Sequence, residues 1–81
     1  MGRGALQQAW ARVMNQEFAA LREGLARAQP SLIGPYAATS PAEFFAVTTE
    51  LFFEKPAALA AERPELYEQL KRCYRLDPAS W

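Results

Sequence analysis

The chain has 81 residues, 51% hydrophobic and 12% aromatic, with nine basic and nine acidic side chains, one cysteine and no histidine. That length makes one domain with a small core, burying roughly 60–65% of the surface of the unfolded chain. Without imidazole the chain cannot by itself complete a His-based zinc site, a Ser-His-Asp or Cys-His nucleophile, or a histidine acid-base pair. Zero formal net charge argues against a nucleic-acid binder, which needs an excess of Lys and Arg on one face.

The single Cys73 has no intramolecular partner for a disulfide or a Cys-x-x-Cys metal knuckle. It is expected to be a half-buried helix residue of a protein in a reducing, cytoplasmic compartment. No apolar stretch after Arg3 reads as a leader, and no run approaches the roughly 20 apolar residues of a membrane span.

In chain order, Leu6, Trp10, Val13, Met14, Phe18, Leu21 and Leu25 recur at spacings of three and four, which predicts a long helix over about 5–28. Pro30 is expected to stop it, because its ring removes a donor and restricts Gln29. Residues 30–40 hold Pro30, Gly34 and Pro35 and read as an ordered loop. Ser40-Pro41-Ala42-Glu43 predicts a helix start: a capping hydroxyl, proline where no N–H is missed, and a glutamate placed to close a capping box.

The second helix, about 41–53, spreads Phe44, Phe45, Thr48, Leu51 and Phe52 over a broad apolar arc and gathers Glu43, Val47, Glu50 and Glu54 in a narrow one. Pro56 opens a helical turn over 57–61. Pro64 starts a last helix over 64–76, with Leu66, Tyr67, Leu70, Cys73 and Tyr74 on one face and Asp77-Pro78 closing it. Glu68 and Arg72 are an attractive i, i+4 pair, and Lys71 with Arg75 a repulsive one. No strand-like alternation occurs, so the expected fold is all-α: one domain, 1–81, of three main helices and a short helical turn.

Charge is unevenly spread, since residues 31–54 carry three Glu and no base. Clustered carboxylates attract hard cations, yet a solvated face of an amphipathic helix looks the same. Glu43 and Glu50 lie about 10 Å apart along a helix axis, too far to share one ion. If a metal is involved, one glutamate serves it and the other ligands come from elsewhere.

The stretch Pro35-Tyr36-Ala37-Ala38-Thr39-Ser40-Pro41-Ala42-Glu43-Phe44-Phe45-Ala46-Val47, continuing to Lys55-Pro56, resembles the C-terminal part of the Mlc titration factor A family of zinc-dependent peptidases. The likeness extends upstream through Trp10, Met14, Phe18 and Leu21, and downstream through Pro64-Glu65-Leu66-Tyr67, Tyr74 and Asp77-Pro78, covering about residues 6–78. It implies a gluzincin-type site, in which a His-Glu-x-x-His helix gives two zinc ligands and a base and a downstream glutamate gives the third. By residue match, Glu43 is that third ligand and Tyr36 the tyrosine that donates to the oxyanion. Glu50 and Glu54 remain surface or docking residues.

The His-Glu-x-x-His segment is absent from these 81 residues, so the chain alone is expected neither to bind zinc tightly nor to hydrolyse peptides. Met1-Gly2-Arg3-Gly4 fits the family poorly and reads as an artificial or truncated boundary. The preferred reading is a C-terminal fragment of a zinc metallopeptidase, with the missing catalytic portion as partner. The alternative is a stand-alone helical protein-interaction module. Either reading predicts exposed aromatic surface of several hundred Å² and self-association through it. The family resemblance alone adds a transcriptional repressor as partner.

Overall fold

The computed structural model describes residues 3–81, with the side chains of Arg3, Ala5 and Leu6 left out. The expected boundary at Met1-Gly2 and the place of Leu6 in the first apolar stripe therefore lie outside the described residues. The elements are α1 (Arg3–Ala26), a 3-10 turn at Pro35–Ala38, α2 (Pro41–Glu54), α3 (Pro56–Glu62), α4 (Pro64–Tyr74) and a closing 3-10 turn at Pro78–Ser80. The fold is all-α, as expected. Its extents of 38 × 29 × 18 Å describe a slab about two helix diameters thick.

Prolines explain the starts. Pro35, Pro41, Pro56, Pro64 and Pro78 each open a helical element, where the missing N–H would have had no partner and the ring presets φ. The stops differ from expectation. α1 ends at Ala26, before Pro30 acts, because Ala28 turns left-handed (φ 56°). Gln29 N–H then reaches back to the Gly24 carbonyl at 2.9 Å and Ala28 N–H to Leu25 at 3.0 Å, the Schellman pattern. α4 likewise ends at Tyr74 rather than 76. Arg75 takes φ 57° and the Leu76 N–H bonds to the Lys71 carbonyl at 3.3 Å. α3, Pro56–Glu62, extends one residue beyond each end of the 57–61 expected, and the 30–40 loop contains the 3-10 turn.

The core comprises Leu21, Ile33, Ala37, Phe44, Phe52, Leu59, Leu66, Tyr67 and Leu70, with Trp10, Met14, Phe18, Leu25, Val47 and Tyr74 packed on its edge. α2 turns Phe44, Thr48 and Phe52 inward, one residue per turn. Phe52 is the hub, 5.2 Å from the Tyr67 ring and 5.8 Å from Tyr74. Two expectations about α2 are corrected. Val47 packs against the core instead of joining the carboxylate arc, and Phe45, placed on the apolar arc, is 36% exposed. Cys73 is exposed, not half-buried: it continues the buried line of Leu66, Gln69 and Leu70, but near the end of α4 it borders an open groove with Gln7, Trp10 and Arg72. Glu68 pairs with Arg72 at 3.3 Å as expected. Lys71 lies 3.9 Å from Glu68 and 3.8 Å from Asp77, so carboxylates surround its charge.

Polar contacts tie the elements together. Arg63, between α3 and α4, pairs with Glu17 of α1 at 2.5 Å. The Glu62 carboxylate accepts from the Leu32 N–H at 3.0 Å and the Ser31 hydroxyl at 3.3 Å, anchoring the loop that carries Tyr36. The Tyr67 hydroxyl donates to Asp77 and accepts from the Ala79 N–H at 3.0 Å, clamping the last turn. Among the described residues no buried side-chain polar atom lacks a partner, and no helix is long and apolar enough to cross a membrane.

Candidate active-site face

Tyr36 and Glu43 are seven residues apart in the sequence, and the geometry of the turn between them decides whether they meet. Pro35 starts the 3-10 turn and Ala37, fully buried, pins it to the core. The Thr39 hydroxyl donates to the Tyr36 carbonyl at 2.8 Å, and the Thr39 N–H reaches the same oxygen at 3.2 Å. Ser40 is extended (φ −164°) and its hydroxyl accepts from the Glu43 N–H at 3.2 Å. Thr39 therefore fixes the backbone of the tyrosine, and Ser40 fixes that of the glutamate.

The result is a phenol beside a carboxylate. Hydrogen bonding to Glu43, and then its negative charge, raise the Tyr36 pKa above the ordinary tyrosine value. Tyr36 is 63% exposed and Glu43 half-buried, so both are open to an incoming group. The expected capping box forms only in part. Ser40 caps Glu43, but no bond returns from the Glu43 carboxylate to the Ser40 N–H. Among the described residues Glu43 is in no ion pair, and neither are Glu50 and Glu54.

A metal needs more than this. Among the described residues no three His, Cys, Asp or Glu side chains stand close enough to hold one ion, and the chain has no histidine. The residues present fit one oxygen ligand and do not make a whole zinc site, which takes at least three protein ligands. A cleft of about 170 Å³ between α1 and the α3–α4 junction, lined in part by Glu17, Gln29, Glu62 and Arg63, shares no residue with Tyr36 or Glu43. Thr39 is a support beyond the residues that the sequence singles out. A Thr two residues before Pro41 was the available signal, since such hydroxyls bond nearby backbone in turns.

The chain is all-helical and presents a tyrosine on a 3-10 turn and an unpaired carboxylate in the first turn of α2. The chain belongs to the glucose-regulated metallo-peptidase M90 family, whose profile matches residues 1–75. That match includes the first four residues, which had been expected to fall outside it. Among similar proteins, an uncharacterized protein of Synechocystis sp. is 41% identical over 78 residues, covering 96% of this chain and 28% of the relative. Mlc titration factor A of Serratia proteamaculans is 51% identical over 43 residues, covering 53% of this chain and 16% of the relative. The protein of the same name from Edwardsiella ictaluri is 36% identical over 72 residues, covering 86% and 28%. The chain thus spans little more than a quarter of these relatives at most. No solved structure matches it.

Proposed function

We propose that this chain is the C-terminal helical part of a cytoplasmic zinc-dependent peptidase, that Glu43 is the third ligand of the metal, and that Tyr36 stabilises the oxyanion of the attacked peptide. The observation that carries the reading is that Thr39 and Ser40 fix Tyr36 and Glu43 on neighbouring turns, with Glu43 near enough to raise the Tyr36 pKa and its carboxylate in no ion pair among the described residues. Family membership supports it.

Zinc held with an open position acidifies a bound water and polarises a carbonyl. This chain's share is narrower. Glu43 stands in the first turn of α2, where the helix N-terminus favours an ionised carboxylate and packing of Phe44 and Thr48 keeps the backbone still. A phenol of ordinary pKa, about 10, keeps its proton at neutral pH, and the direction of the shift at Tyr36 is upward, so the Oη is a donor there. Such a donor to an oxyanion is typically worth about 10²–10³-fold in kcat.

The test places this chain in the Synechocystis relative, in exchange for its matching 28%, and measures zinc content and peptide hydrolysis. Glu43→Gln is expected to lose zinc and hydrolysis together. Tyr36→Phe is expected to keep zinc and lose about 10²-fold in kcat, and Glu50→Gln to keep both. A Glu43→Gln chimera with stoichiometric zinc and full hydrolysis overturns the reading.

A further inference from the structure

The turn that carries Tyr36 is held from both ends. On its C-terminal side Thr39 and Ser40 tie it to α2. On its N-terminal side the tie comes from α3, where the Glu62 carboxylate receives the Leu32 N–H with both oxygens, at 3.0 and 3.2 Å, and the Ser31 hydroxyl at 3.3 Å. The Ser31 oxygen in turn accepts from the Ile33 N–H at 3.1 Å. Next to Glu62, Arg63 pairs with Glu17 of α1 at 2.5 Å, so the tether stands on a fixed post.

A turn held at one end can swing about that end; a second hold stops it. Little slack lies between Leu32 and Tyr36. Ile33 is buried in the core, and the ring of Pro35 fixes its own φ. Gly34, the one link free to rotate, is extended and its carbonyl accepts from the Ala37 N–H at 3.2 Å. A shift at Leu32 is therefore passed on to Tyr36. Glu62 and Ser31 are themselves exposed, so what the carboxylate supplies is hydrogen bonding and not burial.

Resting on the reading of Tyr36 as the oxyanion donor, we propose that Glu62 is its positioning residue: the carboxylate holds Ser31 and Leu32 to α3 and through them sets where the Tyr36 hydroxyl stands relative to Glu43. A donor stabilises an oxyanion only from hydrogen-bond distance, and a misplacement of about 1 Å can cost about 10²-fold. Glu62 acts by accepting, so a neutral acceptor of the same length replaces it.

In the chimera with the Synechocystis relative, Glu62→Ala is expected to keep zinc and KM and to lose about tenfold in kcat, and Glu62→Gln to recover most of that loss. In a Tyr36→Phe background Glu62→Ala is expected to cost nothing further, which a general loosening of the fold would not produce. In the isolated chain, NMR titration of the tyrosine rings is expected to show the Tyr36 pKa, raised by Glu43, returning toward the ordinary value in Glu62→Ala. Tyr67, raised by burial first and then by Asp77, is expected to stay where it was. Equal kcat losses in the two backgrounds, or an unmoved Tyr36 titration, would overturn the proposal. Full kcat in Tyr36→Phe alone would overturn the oxyanion reading and with it the catalytic consequence, while the titration of the isolated chain still decides the tether.

Discussion

Replacing Tyr67 by phenylalanine removes one oxygen and leaves the ring, so it isolates the clamp on the C-terminal turn. Tyr67 is only 6% exposed and its ring stays packed on Phe52, which means no cavity opens. Two hydrogen bonds disappear: one to the Asp77 carboxylate and one from the Ala79 N–H. A bond to a charged group is worth about 1.5–3 kcal/mol net and a neutral one about 0.5–1.5. The partners are not stranded, however. The Asp77 side chain is partly exposed and lies 3.8 Å from Lys71, and Ala79 is exposed, so both regain water. The expected cost is therefore near the low end of the sum, about 2 kcal/mol, or roughly 10 °C in Tm for a chain of this size. Thermal unfolding followed by circular dichroism reads it directly.

A second readout separates the clamp from a general loosening. Burial first, and then the hydrogen bond to Asp77, raise the Tyr67 pKa. A raised folded pKa means that the neutral phenol is favoured by folding. Its contribution is complete below the unfolded tyrosine pKa of about 10 and is lost as pH rises through the folded value. The stability gap between wild type and Tyr67→Phe should thus narrow above about pH 10. A Tm change under about 2 °C at neutral pH, or a gap that stays constant through the alkaline range, refutes this reasoning.

Other substitutions probe other joints. Ala28 and Arg75 both sit at left-handed φ, so Ala28→Gly and Arg75→Gly should each stabilise by about 0.5–1 kcal/mol, seen as a higher urea midpoint with unchanged slope. Glu17→Ala removes the partner of Arg63, whose own pKa is raised chiefly by that hydrogen bond. It should cost about 2 kcal/mol, less than a fully buried pair because the arginine is partly solvated. Glu43→Gln should bring the Tyr36 pKa back toward the ordinary tyrosine value, since Glu43 is the leading cause of its rise; tyrosine titration by ultraviolet absorbance or NMR checks this, and an unchanged value would separate the two residues.

The starts of α2, α3 and α4 were legible because proline at the first helical position is a local signal, read one residue at a time; α1, which has no such proline, begins at Arg3 and not at 5. The stops were not, because Ala28 and Arg75 close α1 and α4 in a conformation that glycine usually supplies; with no glycine there, the visible candidates were Pro30 and Asp77-Pro78. The centre of the buried arc of α2, Phe44 to Phe52, was also legible from periodicity. Its edges were not, since a wheel places residues by angle while neighbouring helices decide how much of that angle is covered. α1 meets Phe45 with Trp10 and α4 meets Phe53 with Tyr74, and both rings stay partly open.

The site shows the same division between local and relational information. Tyr36 and Glu43 were identifiable as residue types in a specific string, but their meeting depends on Thr39 and Ser40 bending the chain between two short elements. The geometry also bears on a second account of Glu43. A glutamate three residues after a capping serine ordinarily closes a capping box, and that job alone would explain its presence. Here Ser40 caps without it, no cation holds it among the described residues, and the fold buries Phe44 and Thr48 on the other side of the helix. Folding of this chain therefore uses the Glu43 carboxylate only through its place at the helix N-terminus and beside Tyr36. Glu43→Gln should lower Tm by no more than about 5 °C, and a larger loss of stability would assign the residue a structural role.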